Sequence, residues 1–248
     1  MLAAILMVWQ AGVVLTGVSE LILPSPVSVL KAGVRIREPL VAATVRTSLA
    51  AIMGLLVSSI CGILAAFVFS ISVTVRRSLY PYAVLLQTVP IIAIAPIVIL
   101  TFGRGFFSIA IIASIISLFP VITNTTTGLL QTDQNLAEFF RLHRATWLQT
   151  LLKLRLPSAL PYMITGIRIA SGTAIVGAVV GEFFVGSGQP GLGSVIRAKT
   201  ESLELPELYA TVATTTALGT LVFMSISAAG EYVLDRWFGM SLEAQHGK

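Results

Sequence analysis

Six long apolar stretches decide what this chain can become. They run over Leu2–Val18, Val41–Val75, Tyr80–Phe102, Phe106–Leu130, Pro161–Phe184 and Leu208–Leu234. About 20 mainly apolar residues carry an α-helix across a bilayer. The second and sixth stretches exceed that minimum, so they are expected to tilt or to extend beyond the lipid. A transmembrane barrel needs short strands of alternating polarity, and these continuous runs lack that period. Only 11% of the residues are charged and 56% are hydrophobic, with a mean hydropathy of +0.92. A soluble domain carries about 25% charged residues, so this surface must be solvated by lipid. The expected fold is all-α: a polytopic membrane protein with about six transmembrane helices in one transmembrane domain, 1–248.

The separators are short. LPSPVSVLKAGVRIREP divides the first two stretches, where Pro24 and Pro26 stop a helix and the remainder suits a short interfacial one. Arg76 and Arg77 separate the second from the third, and Gly103, Arg104 and Gly105 turn the chain before the fourth. The N-terminal run has no basic start of the kind a cleavable signal peptide uses. It reads as a retained first span. Cys61 is the single cysteine, which excludes an internal disulfide and a cysteine-based zinc site.

A net charge of +5 and a pI near 9.7 fit nucleic acid or anionic lipid in principle. In a membrane protein, basic residues gather in cytoplasmic loops instead and fix orientation, so no nucleic acid partner is expected. Counting them settles nothing here. With the N-terminus inside, eight fall inside (Arg76, Arg77, Arg141, Arg144, Lys153, Arg155, Arg236 and Lys248). Seven fall outside (Lys31, Arg35, Arg37, Arg46, Arg104, Arg197 and Lys199).

The insert EFFRLHRATWLQTLLKLRLP, residues 138–157, separates the fourth and fifth stretches. On a helix, Leu136, Phe139, Phe140, His143 and Trp147 recur at spacings of three or four and form one apolar, aromatic stripe, with Glu138, Arg141 and Arg144 largely off it. A second helical run, Leu148–Leu156, leads to Pro157 and Pro161. Two short helices joined in this way make a bracket parallel to the bilayer. Its aromatics either enter a partner's groove or lie in lipid headgroups.

The same segment resembles the cytoplasmic loop of type I ABC importer permeases, whose pattern is E-A-A, three residues, G, nine residues, I-x-L-P. Glu138 holds the first place, Leu154 the isoleucine place, and Leu156-Pro157 close it. Phe139 and Phe140 replace the alanines and Arg144 replaces the glycine. LPSPVSVL near residue 23, QTVPIIAIAPIVILTFGRG from Gln87, LPSALPYMITGIRIASGTAIVGAVVGEFF from Leu156 and the GLG at Gly191–Gly193 resemble one branch of that family. That branch imports sulfonates, taurine, nitrate or bicarbonate, and pyrimidine precursors or riboflavin. The resemblance implies the type I ABC importer permease fold, a bacterial inner membrane location and cytoplasmic N- and C-termini. It makes 131–160 a cytoplasmic coupling loop that docks on an ATPase. Glu138, Phe139, Phe140, Arg141, His143, Arg144, Trp147, Leu154, Leu156 and Pro157 are its expected coupling residues. Implied partners are two ATPase subunits, a second permease copy, most simply identical, and a periplasmic or lipid-anchored substrate-binding protein. ATP and Mg are expected on the ATPase and no cofactor on this chain.

Enzymatic chemistry finds no support in the sequence. No G-x-x-x-x-G-K-[ST], H-E-x-x-H or G-x-S-x-G occurs, and there are two histidines, His143 and His246. GSGQPG at Gly186–Gly191 formally fits G-x-G-x-x-G, but no strand precedes it, and an external turn that contacts a binding protein is the better reading. Glu182 is expected near the outer interface, either hydrogen-bonded as a structural group or on the translocation path as a gate or substrate contact. Arg168 is expected to snorkel or to pair with a carboxylate. Gln87, Pro90 and Pro96 mark the third stretch as a kinked helix, through packing or because it lines the translocation path. Asn124, among Thr123, Thr125, Thr126 and Thr127, faces that path or bonds across helices. Gly177 and Gly181 form a G-x-x-x-G for close packing, within or between subunits. The rival function, an ion-coupled secondary transporter, calls for mid-membrane carboxylates and inverted repeats, and neither is evident.

Overall fold

The computed structural model describes residues 1–185 and 190–238. Helix follows helix: α1 (Leu2–Thr16), α2 (Pro26–Arg35), α3 (Arg37–Ile71), α4 (Val73–Thr88), α5 (Ile91–Phe102) and α6 (Phe106–Leu130). Then come α7 (Gln134–Leu142), α8 (Trp147–Thr150), a π-helical turn Leu151–Arg155, α9 (Leu156–Val185), α10 (Leu192–Glu201) and α11 (Leu205–Phe238). No strand occurs among the described residues. The GSGQPG turn falls mostly outside them, as do His246 and Lys248.

Four of the six apolar stretches become helices long and apolar enough to cross a membrane: α3, α6, the continuous run Trp147–Val185, and α11. The third stretch becomes a bent pair. α4 and α5 meet at 102°, because Pro90 pushes Val89 into extended backbone (φ −70°, ψ 123°). Pro96, also expected to kink the chain, sits inside a continuous α5. There Ala95 and Val98 are buried against Ile112 of α6, and packing holds the helix together. The first stretch is shorter than expected, since Gly17 ends α1 in the left-handed region (φ +62°).

Two further boundaries moved. Arg76 and Arg77 lie within α4 and not between helices, because Ser72 stops α3 and caps α4 by accepting from Val75 N–H at 3.3 Å. The second half of the expected bracket is no separate helix either. Proline lacks an N–H and crowds the carbonyl four residues back, yet α9 runs through Pro157 and Pro161. The widened π-turn just before Pro157, with Leu156 N–H donating to Leu151 O, joins α8 to α9 without a break.

The core is α3, α6 and α9, held at close range by small residues. Ala113 of α6 is the point of closest approach. A Cβ on Gly54 of α3 would lie 2.6 Å from the Ala113 Cβ, and one on Gly177 of α9 would lie 2.7 Å from its Cα. The G-x-x-x-G therefore works within the chain. Ser117 of α6 donates to Ser58 of α3 at 2.9 Å in the same interface. Outward faces stay apolar, as at Leu56, Ile60 and Leu64 of α3, as a lipid-solvated bundle requires. α2 starts as proline favours, with Pro26 at N1 behind the Ser25 cap.

Candidate functional site

One end of the bundle carries α7 and α8. α7 is capped by Asp133, which accepts from Asn135 N–H at 2.8 Å, and none of its residues is buried. Phe139 is 54% exposed and Trp147 is 49% exposed, with Leu136 and Leu142 beside them. His143 stacks on Phe139 at 4.2 Å between ring centroids, and its Nδ1 lies 2.9 Å from Phe139 O. Glu138, Arg141, Trp147 and Arg155 line a cavity of about 420 Å³ under this segment. Among the described residues Glu138 makes no ion pair.

The helix ends in a Schellman motif. Ala145 N–H donates to Phe140 O and Arg144 N–H to Arg141 O, both at 3.0 Å. Its left-handed position is Arg144, with φ +51°, a place that glycine usually fills. This is also where the family pattern has its glycine, so the pattern's residue has a backbone reason.

Two features of this end escaped the sequence reading. Thr146 and Gln149 form a capping box for α8, legible in the T-x-x-Q spacing. Arg76 Nη1 donates to Phe69 O at 3.3 Å and Arg155 Nη1 to Ser70 O at 3.4 Å. Both satisfy the C-terminal carbonyls of α3, which no local spacing announces. Leu154, grouped by pattern with the coupling residues, is buried with Leu151. Leu151 packs against Ala66, Leu129 and Ala159, so this part of the segment anchors it to the bundle. Leu156 and Pro157 are half-buried.

A second cavity, about 350 Å³, lies where the α4–α5 break meets α6 and α9. Gln87 and Asn124 both line it, with Thr123, Thr173, Phe119 and Val89. The Asn124 amide donates to Pro120 O at 2.8 Å. No ionisable side chain lines this cavity. Pro90 stands at its edge, between the lining residues Val89 and Ile91, whereas Pro96 and Glu182 are absent from the lining.

Glu182 sits instead in a buried knot near the other end, 3% exposed. Its carboxylate accepts from Thr47 Oγ1 and from Gly193 N–H, each at 2.9 Å, and Leu192 N–H donates to Thr47 Oγ1 at 2.9 Å. Of the two roles open to Glu182, this geometry serves the structural one. Arg168 is in no ion pair among the described residues; its guanidinium lies over the Phe223 ring of α11, 5.8 Å from the centroid.

The sequence pattern of the family described as "Binding-protein-dependent transport system inner membrane component" matches residues 58–239. The chain belongs to that family. This permease is 33% identical over 234 residues to formylaminopyrimidine transport permease protein ThiX of Halalkalibacterium halodurans, across 94% of this chain and 92% of that protein. It is 32% identical over 243 residues to riboflavin transport system permease protein RibX of Chloroflexus aurantiacus, across 95% and 88%. A chain from an inward-facing crystal form of the MetNI methionine ABC transporter superposes with a TM-score of 0.71 at 15% identity, covering 80% of the permease and 98% of that chain. The type I importer permease fold expected from the sequence is thus the fold observed.

Proposed function

We propose that this permease passes a small, uncharged, hydrogen-bonding heterocycle through the bacterial inner membrane, driven by ATP hydrolysed on separate subunits. The observation that carries the solute class is the lining of the cavity at the α4–α5 break. It offers amides, hydroxyls and the Phe119 ring, and no charge. An anion in such a site would lose its hydration without gaining an opposite charge, a cost of several kcal/mol (about 2 or more). A pyrimidine-like ring presents an apolar face and a polar edge, which this lining matches. The names of the formylaminopyrimidine and riboflavin relatives point the same way, and the lining argues against a sulfonate, taurine or nitrate.

Coupling rests on Phe139 and Trp147, each about half exposed at the loop end of the bundle, and on the half-buried Phe140 beside them. Two ATPase subunits dock there, holding ATP and Mg. A second copy of the permease completes the path, and a substrate-binding protein delivers the solute at the opposite end, with both termini cytoplasmic. ATP favours the closed ATPase dimer, and that difference in affinity selects between outward-open and inward-open bundles. Ion coupling lacks a mid-span carboxylate among the described residues, since Glu182 is tied to Thr47 and Gly193 near the end of α9.

The test is uptake by proteoliposomes containing permease, ATPase and binding protein. A labelled pyrimidine is expected to accumulate with ATP and taurine not, and Asn124→Leu is expected to cut pyrimidine uptake by about tenfold, one buried hydrogen bond's worth. Accumulation of taurine alone would overturn the solute class, and uptake at full rate without the ATPase would overturn the coupling.

A further inference from the structure

A second cavity at the loop end has no part in that scheme. It is about 350 Å³ and lies between α4 and α6. Arg76, Arg77 and Tyr80 come from the early turns of α4, and Thr126 and Thr127 from the last turns of α6.

Its donors outnumber its acceptors. No carboxylate lines it, and among the described residues neither arginine is in an ion pair. Arg76 gives one N–H to Phe69 O, and a guanidinium has five N–H groups and no acceptor. Thr126 is 3% exposed and its hydroxyl has no partner, an uncommon state for a buried polar atom. Tyr80 closes the side, edge-on to Phe69 at 6.1 Å. Its amphipathic ring suits the depth where lipid headgroups lie.

Two adjacent guanidinium groups and free hydroxyls call for a ligand with several acceptor oxygens and a negative charge. Planar arginine forks hold phosphate through paired hydrogen bonds. We propose that the α4–α6 cavity binds a phosphate group, carried by an anionic lipid headgroup or by a free phosphate ion. The volume is that of a small ligand pocket and leaves room for a glycerol unit beside the phosphate. Basic pockets between transmembrane helices hold anionic headgroups by the same chemistry.

The experiment measures ligand retention by the purified transporter. Native mass spectrometry follows extraction from vesicles of phosphatidylglycerol mixed equally with phosphatidylcholine, and thermal unfolding in lipid-depleted detergent is followed with and without inorganic phosphate. Retention of phosphatidylglycerol over phosphatidylcholine, reduced about fivefold by Arg77→Gln and unchanged by Arg104→Gln at the opposite end, establishes a lipid headgroup. Stabilisation by inorganic phosphate that Arg77→Gln abolishes establishes the free ion. Thr126→Val, which keeps shape and removes the hydroxyl, carries the same comparison where Arg77→Gln yields no folded protein. Retention and stabilisation that are both absent, or both indifferent to Arg77 and Thr126, overturn the site. Solute uptake enters neither measurement, so failure here leaves the transport reading standing.

Discussion

Thr47 on α3 donates to Glu182 on α9 at 2.9 Å, joining residues 135 apart in the chain. The same two side chains receive the N–H groups of Leu192 and Gly193, and Arg46 Nη1 reaches Pro190 O at 3.2 Å. Two spanning helices and the start of α10 therefore meet in one buried knot. The glycines make room for it: a Cβ on Gly193 would stand 2.0 Å from the backbone oxygen of Val179.

Removing the carboxylate should strand the Gly193 N–H in a dry interface, while Thr47 keeps the Ala43 carbonyl as its acceptor at 3.1 Å. Glu182→Ala is expected to cost about 1–3 kcal/mol, read as a lower unfolding temperature in detergent. Glu182→Gln keeps an acceptor for Gly193 and should cost less. Gly193→Ala, which must displace backbone, should be the worst of the three. An unchanged unfolding temperature in Glu182→Ala would refute the structural role.

Arg144 occupies a left-handed position at the end of α7. An L-residue with a side chain is strained there by about 1 kcal/mol relative to glycine. Arg144→Gly is therefore expected to slow amide hydrogen exchange across 139–150, and Arg144→Val to speed it. Faster exchange in the glycine variant would mean that the arginine side chain contributes more than its backbone costs.

The exposed and buried halves of the loop should separate in mutagenesis. Phe139→Ala and Trp147→Ala remove exposed aromatics, so folding should survive while affinity for the ATPase falls by about 2 kcal/mol, roughly thirtyfold. Leu154→Ala opens a buried site and should instead destabilise the bundle by about 2–5 kcal/mol. Pulldown with the ATPase, beside thermal unfolding, reads both. The assignment fails if Phe139→Ala and Trp147→Ala both bind normally.

The spanning helices were legible in the sequence because their signal is bulk hydropathy, which needs no partner. The α7 segment was legible as a helix because Leu136, Phe139 and Phe140 recur at helical spacing, but the expected stripe does not run on to Trp147, since the Schellman motif ends α7 and Trp147 opens α8. What escaped was long-range or depended on packing. Arg76 and Arg155 reach carbonyls of α3 that no spacing reveals, and Arg168 found an aromatic ring 55 residues on in α11. Ser72 ended a helix inside an apolar run, where hydropathy is blind to a capping hydroxyl.

At the opposite end, Lys199 bonds to the carboxylates of Glu204 and Glu207, and Arg35 lies 3.4 Å from Glu207. The hydrogen bond to Glu204, then that to Glu207, raises the Lys199 pKa above its ordinary 10.5. The bond to Lys199 lowers that of Glu204 below 4.5. Lys199's contribution is present below 10.5 and fades as pH climbs past its raised value, whereas Glu204's is present above 4.5 and fades as pH falls past its lowered value. The unfolding temperature should gain no slope from this cluster between about pH 5 and 9, and Lys199→Gln should lower it evenly across that window. A Lys199→Gln effect that varies steeply near neutral pH would contradict these directions.

Two prolines that look alike in the sequence should behave differently. Pro90 caps α5 at the 102° break, and Pro96 lies within an unbroken helix. Replacing Pro90 with alanine restores the missing N–H and frees Val89 to turn helical, so α4 and α5 can fuse. Spin labels at Tyr82 and Leu100, both exposed, would then approach the ~27 Å separation of a straight helix, beyond the distance across the bend. The cavity lined by Gln87 and Val89 would lose its shape, and solute uptake should fall while assembly survives. Pro96→Ala should leave both the distance and the uptake unchanged. An unaltered distance in Pro90→Ala would assign the bend to packing by α6 and α9 and remove the proline from the path.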